Sequence, residues 1–168
     1  RYGSVKDHWL EIRENAHLDL ADGRVFGDVA MRVTFSGAVS LGLRGTLDEY
    51  YVGEVRPNGD AFIGIGTTNV VEHPDIKPVK FSLGKSYDSS KEHEMVFAAQ
   101  GDTMRLWLDG RELVAFKDSV LTRGRLFLRV RPKPESPLTR VLRLEYASLG
   151  AEAAPAPRPV VKFKPGSI

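Results

Sequence analysis

The chain of 168 residues contains no cysteine. This removes disulfides, thiolate metal sites and a cysteine nucleophile together. No staple is required, since a single domain of this length buries roughly 70% of its unfolded surface. Long apolar runs are also missing, and none approaches the ~18 residues that cross a bilayer as a helix. Helical periodicity does not extend beyond a turn or two. His8, His17, His73 and His93 lack ligand spacing of the H-E-x-x-H kind, and there is no G-x-S-x-G elbow or Ser/His/Asp set. Gly64-Ile65-Gly66 lacks the third glycine and following helix of a dinucleotide loop, and reads instead as a flattened or bulged strand. Asp19, Asp22 and Asp28 could gather round a calcium ion, but Asp-Gly turns are common without one. The expectation is no metal and no cofactor. The absence of cysteine does not fix the compartment; an extracytoplasmic or cell-surface setting is favoured. The chain opens on Arg1 rather than Met, and the expectation is a piece of a longer protein.

What is present is alternation of period two, bounded by glycine turns. The strongest case is Glu92–Gly110, EHEMVFAAQGDTMRLWLDG, which reads as two strands joined at Gln100-Gly101-Asp102 and closed by Asp109-Gly110. Gly27–Phe35 alternates Val29, Met31, Val33 and Phe35 against Arg32 and Thr34. After Ser36-Gly37, Ala38–Arg44 returns with Val39, Leu41 and Leu43 on one face and Ser40, Gly42 and Arg44 on the other. Pro57-Asn58-Gly59-Asp60 joins Glu49–Arg56 to Ala61–Thr67 as a hairpin. His8–Arg13, Ala16–Leu20, Val79–Gly84, Glu112–Lys117, Gly124–Arg131 and Arg140–Leu149 complete the strands. In the last of these, Leu142, Leu144 and Tyr146 share a face. Asn69–Pro78 has two prolines and no period, so it reads as a loop. About ten to twelve short strands argue for an all-β sandwich or barrel. The domain is expected over residues 1–150. Residues 151–168, AEAAPAPRPVVKFKPGSI, have the texture of an extended linker or tail.

One stretch carries a resemblance. HEMVFAA, a glycine turn, MRLWLDGRELVAF, the Gly-led strand GRLFLRV and a final RVLRLEYASL follow one another over residues 91–149. This order resembles the C-terminal half of concanavalin A-like lectin/glucanase domains. It is similar in particular to the bacterial branch of laminin-G-like modules and 3-keto-disaccharide hydrolase-like (DUF1080-like) domains. The resemblance implies a two-sheet antiparallel jelly roll. It also implies carbohydrate binding on a concave face or at the loops of one edge, with cleavage in some members.

The chemistry of cleavage is weakly supplied. Glycoside hydrolysis needs two carboxyls about 5–10 Å apart, and the glucanases of this fold place them as E-x-D-x-E or E-x-D-x-x-E on one strand. No such spacing occurs here. Glu92 and Glu94 lie beside Lys91 and His93 at a strand start, and Asp48, Glu49 and Glu54 do not make the motif. Binding is better supplied. With Met104, Leu106 and Leu108 inward, Arg105 and Trp107 face outward; with Leu126, Leu128 and Val130 inward, Phe127 and Arg129 do so, and Tyr51 is assigned outward with them. A flat ring beside guanidinium donors suits a sugar. Arg123, Arg125, Arg129, Arg131, Lys133, Arg140 and Arg143 against Glu135 alone make a basic cluster, and an anion-binding domain using Arg125, Arg129 and Arg143 is a further reading. A net charge of +2 is too small to suggest nucleic acid. The reading is a non-catalytic accessory module that binds carbohydrate or a protein surface, or spaces other domains of the same polypeptide. The alternative is a hydrolase related to the keto-disaccharide enzymes.

Overall fold

A computed structural model describes residues 4–6, 9–46, 48–67, 77–132, 134, 136, 138–149 and 158–161. The expected loop lies outside these residues over positions 69–76. Among the described residues the regular structure is strand, apart from a 3-10 turn at Ala21–Gly23, and no helix is long and apolar enough to cross a membrane. The strands are β1 (Ser4–Lys6), β2 (Trp9–Ile12), β3 (Ala16–Leu20), β4 (Val29–Ser36), β5 (Val39–Gly45), β6 (Glu49–Val55), β7 (Asp60–Thr67), β8 (Val79–Ser82), β9 (His93–Gln100), β10 (Thr103–Leu108), β11 (Arg111–Lys117), β12 (Arg125–Val130), β13 (Thr139–Ser148) and β14 (Arg158–Val161). All pairings between them are antiparallel.

Two sheets result. One has the order β1-β2-β13-β4-β9-β10-β11, with β14 also on β13; the other has the order β3-β12-β5-β6-β7-β8. This is the two-sheet antiparallel jelly roll that the sequence suggests. The central strands turn alternate apolar residues inward. Val29, Met31, Val33, Phe35, Met95, Phe97, Met104 and Leu106 from the first sheet meet Val39, Leu41, Leu43, Ile63, Leu126 and Val130 from the second, all fully buried. Each such side chain contributes about 1.5–3 kcal/mol by leaving water. β14 falls within the proline-rich stretch and pairs with β13 at Leu144–Tyr146, on the edge where β2 pairs with Thr139–Val141.

Two departures from strict alternation shape the molecule. In β13 the register against β4 shifts between Val141 and Arg143. The core-facing residues are therefore Val141 and Leu144, while Leu142 is only half-buried. Of the expected Leu142, Leu144, Tyr146 face, Leu144 and Tyr146 lie together opposite Val33 and Met31, and the bulge turns Leu142 away from them. The second shift lies in β5. Arg125 pairs with Gly45 but Phe127 with Gly42, so the end of β5 carries an extra residue. Arg44 there takes a positive φ of 54°. The expected outward position beside Ser40 and Gly42 is overturned, and the side chain swings into the end of the sandwich, 2% exposed.

Arg44 is held by four groups from three separate parts of the chain. Its guanidinium donates to the carbonyls of Gly27 (3.0 Å), Gly101 (2.7 Å) and Leu121 (3.2 Å), and to Asp28 Oδ1 at 3.0 Å. Asp28 Oδ1 also accepts from the Gly101 N–H at 2.9 Å. A buried charge persists only when paired and saturated with hydrogen bonds in this way. Arg44→Met, which keeps the length but loses the donors, is expected to lower unfolding free energy by about 3–5 kcal/mol in urea titration. A loss below about 1 kcal/mol, the scale of one ordinary hydrogen bond, would show that the network is not structural.

Candidate functional site

The outer face of the six-stranded sheet carries a polar row set by strand register. His17 lies opposite Arg129, Arg129 opposite Ser40, Ser40 opposite Glu54, and Glu54 opposite Phe62. The neighbouring row runs Asp19, Phe127, Gly42, Val52, Gly64. Because side chains alternate along each strand, these residues share the side away from the core.

The floor of this face is aromatic, and glycine makes the room for it. A Cβ on Gly45 would fall 1.9 Å from Phe127 Cε2, and one on Gly66 would fall 2.8 Å from Tyr50 Cζ. At Gly42 it would crowd both rings at 3.1–3.2 Å. Tyr50 and Phe127 therefore settle into notches cut by Gly42, Gly45 and Gly66. They pack against each other at 5.7 Å between centroids and form, with Val52 and Phe62, a small apolar cluster separate from the core. The Gly64-Ile65-Gly66 segment is not a bulge; its register with β6 is unbroken, and at Gly66 the missing side chain serves Tyr50.

Above this floor the polar groups are partly engaged. Ser40 Oγ donates to Glu54 Oε2 at 2.9 Å, and Arg56 Nε donates to Glu54 Oε1 at 3.0 Å. Arg56 also lies over the Phe62 ring at 4.7 Å. Arg129 donates to the Tyr50 hydroxyl. Two adjoining hollows open here, of about 360 and 200 Å³, and share Ser40, Glu54, Arg56 and Arg131. The larger lies within the ordinary range of ligand sites. Beside them His17 sits edge-on to Phe127 at 4.7 Å. Desolvation against its neighbours and the charge of Arg129 lower its pKa below the usual 6.5, with Asp19 opposing.

The residues expected to bind are not one group. Met104, Leu106 and Leu108 are buried, and Trp107 and Arg105 stand on the outer face of the eight-stranded sheet, the opposite side of the sandwich from Phe127 and Arg129. Trp107 is half-buried with Val96 and Glu112 on either side in register, and Arg105 is ion-paired to Glu112 at 2.8 Å. Tyr51 is a correction. It points into the core, fully buried, where its hydroxyl donates to Asp118 and accepts from the Leu121 N–H at 3.1 Å. Burial and then Asp118 push its pKa up to about 12. The outward tyrosine is Tyr50. The segment EYYVGEV has apolar residues on both faces, so its period cannot say which tyrosine faces in. The pairing of Val55 with Ala61 across the Asn58-Gly59 turn settles it. Ser40, Glu54, Arg56 and Phe62 are not among the residues expected to bind; the one available signal is the same hairpin, which sets Glu54 opposite Phe62. Of the candidate calcium ligands, Asp19 pairs with Arg125 and Asp28 with Arg44, each at 3.0 Å.

No protein-family profile and no curated protein matches the chain. Solved structures do. The carbohydrate-binding module CBM66 from Bacillus subtilis has a TM-score of 0.63 at 16% identity, covering 83% of this chain and 86% of that one. A Bacillus licheniformis β-glucanase has a TM-score of 0.59 at 13% identity, covering 89% and 83%. Sheep galectin-11 has a TM-score of 0.53 at 8% identity, covering 79% and 97%. The fold is that of the concanavalin A-like sandwiches.

Two measurements check the geometry. Tyr51→Phe leaves Asp118 and the Leu121 N–H short of a partner and is expected to cost about 1–3 kcal/mol of stability in urea. For His17 the unfolded ring takes up a proton below pH 6.5 that the folded ring resists, so stability present above pH 6.5 is lost as pH falls through the lower folded value. The urea midpoint should drop between pH 7 and 5.5, and drop less in His17→Gln; equal drops would remove His17 as the source.

Proposed function

We propose that this chain is a non-catalytic carbohydrate-binding module of a larger protein, with its ligand on the outer face of the six-stranded sheet. The observation that carries this reading is the polar row Arg129–Ser40–Glu54 over the floor made by Tyr50 and Phe127, opening into two joined hollows. A sugar offers C–H surface to apolar and aromatic groups and hydroxyls to donors and acceptors, and this face presents both. The fold supports the same class, since proteins sharing it include a module named for carbohydrate binding and a β-glucanase. Catalysis draws less support. Glu54 is the one carboxylate among the described residues lining the two hollows, it is held by Ser40 and Arg56, and the ordinary glycosidase route uses two.

The test is a glycan array followed by titration of any ligand found. Phe62→Ala and Arg129→Ala are each expected to weaken binding by about tenfold or more, the effect of losing a stacking or charged contact, while Trp107→Ala on the opposite sheet leaves it unchanged. Loss of binding in Trp107→Ala alone would move the site to the other face. Release of new reducing ends from a bound oligosaccharide would overturn the non-catalytic part.

A further inference from the structure

Arginine is paired with carboxylate over most of this molecule. Arg32 and Arg143 share Glu145, Arg105 takes Glu112, Arg125 takes Asp19, Arg140 takes Glu11, and Arg44 takes Asp28. Among the described residues Arg24, Arg111, Arg123, Arg129 and Arg131 stand outside such pairs, and of the five only Arg129 and Arg131 stand together in one hollow. Among the described residues, no carboxylate lies within ion-pair distance of Arg129 or Arg131. Arg129 lies near the end of β12 and Arg131 one residue beyond it, about 7 Å apart along extended chain. Both line the groove described above.

The charge of the groove follows. Arg56, Arg129 and Arg131 line it against Glu54 alone. Glu54 is already neutralised by Arg56 and capped by Ser40, with one oxygen given to each. Arg129 gives one N–H to the Tyr50 hydroxyl, which leaves most of its five donors directed elsewhere. Arg129 is half-buried and Arg131 exposed, so their mutual repulsion is modest, and an anion seated between them would be attracted by both. A neutral sugar would take only ordinary hydrogen bonds from these donors, where an anion takes charge-assisted ones.

We infer that the groove selects an acidic sugar, one whose carboxylate or sulfate group seats between Arg129 and Arg131 while its ring lies toward Phe62 and Val52. This rests on the carbohydrate-binding reading and adds the charge of the ligand to it. A carboxylate is planar and matches the guanidinium fork in two parallel hydrogen bonds; a sulfate offers three oxygens to the same donors.

Calorimetric titration of the whole chain decides it, using three oligosaccharides of equal length: a neutral glucan, an oligogalacturonate and a chondroitin sulfate fragment. The variants are Arg131→Gln, Arg129→Gln and, as a control at an exposed position in the loop before β12, Arg123→Gln, each first shown to melt as the wild type does. The expected result is about tenfold or more tighter binding of one acidic oligosaccharide than of the neutral one, the size of a charge-assisted bidentate contact. That preference should fall to near unity in Arg131→Gln, persist in Arg123→Gln and weaken with added salt. The galacturonate and chondroitin arms tell carboxylate from sulfate. Binding of the neutral glucan as tight as the acidic ones overturns the acidic reading and leaves carbohydrate binding standing. Equal losses in Arg123→Gln and Arg131→Gln mean general attraction and also overturn it. No binding in any arm, with none on the glycan array, overturns both readings.

Discussion

One buried guanidinium holds the end of the sandwich together. Arg44 leaves the second sheet through a bulge and reaches the two residues before β4, the β9–β10 turn and the loop between β11 and β12. Three of its four acceptors are backbone carbonyls that would otherwise need water or another partner at a closed rim. The left-handed backbone at Arg44 costs about 1 kcal/mol or more, and the network offsets it. Tyr51 works alongside, fixing Asp118 and Leu121 from the core side. Loop positions at this end are thereby determined by two side chains of the second sheet, one from β5 and one from β6.

The two outer faces differ in how they treat charge. On the eight-stranded sheet, Glu145 is 1% exposed beneath Arg32 and Arg143, and Glu112 answers Arg105. Trp107 sits among these satisfied pairs. A face so balanced has little reason to prefer a charged partner. On the six-stranded sheet the balance is incomplete, and it is incomplete where the surface is concave enough to hold a molecule. Among the described residues a hollow and unpaired charge coincide on this side.

The architecture was legible because it rests on period and turns. Val29–Phe35, Val39–Leu43 and Met104–Leu108 face as their alternation requires, since one face of each is buried and a slip of one residue would invert it. Legibility stopped where the period was interrupted or ambiguous. The bulges at Arg44 and near Leu142 add a residue that no alternation signals. Tyr50 and Tyr51 are chemically identical neighbours, and only pairing across the hairpin distinguishes them. The site was harder still. Trp107 and Phe127 both face outward, but strand order, which places them on different sheets, is a property of long-range pairing that a linear pattern does not contain. Phe127 and Arg129 were found; of the glycines that seat Phe127, Gly42 reads only as an outward strand position and Gly45 carries no signal.

Those glycines have a consequence for how the surface can respond to anything that lands on it. Tyr50 and Phe127 are fixed in their notches by folding itself, so their rotamer freedom is already spent before an encounter. The floor is thus a rigid template, while the guanidiniums above it sit on long flexible stems. Such a surface discriminates strictly by the outline of what lies against the rings and loosely by the position of the groups above. Change in selectivity would come more readily through the arginines than through the floor, because any side chain at Gly42, Gly45 or Gly66 must first displace an aromatic ring.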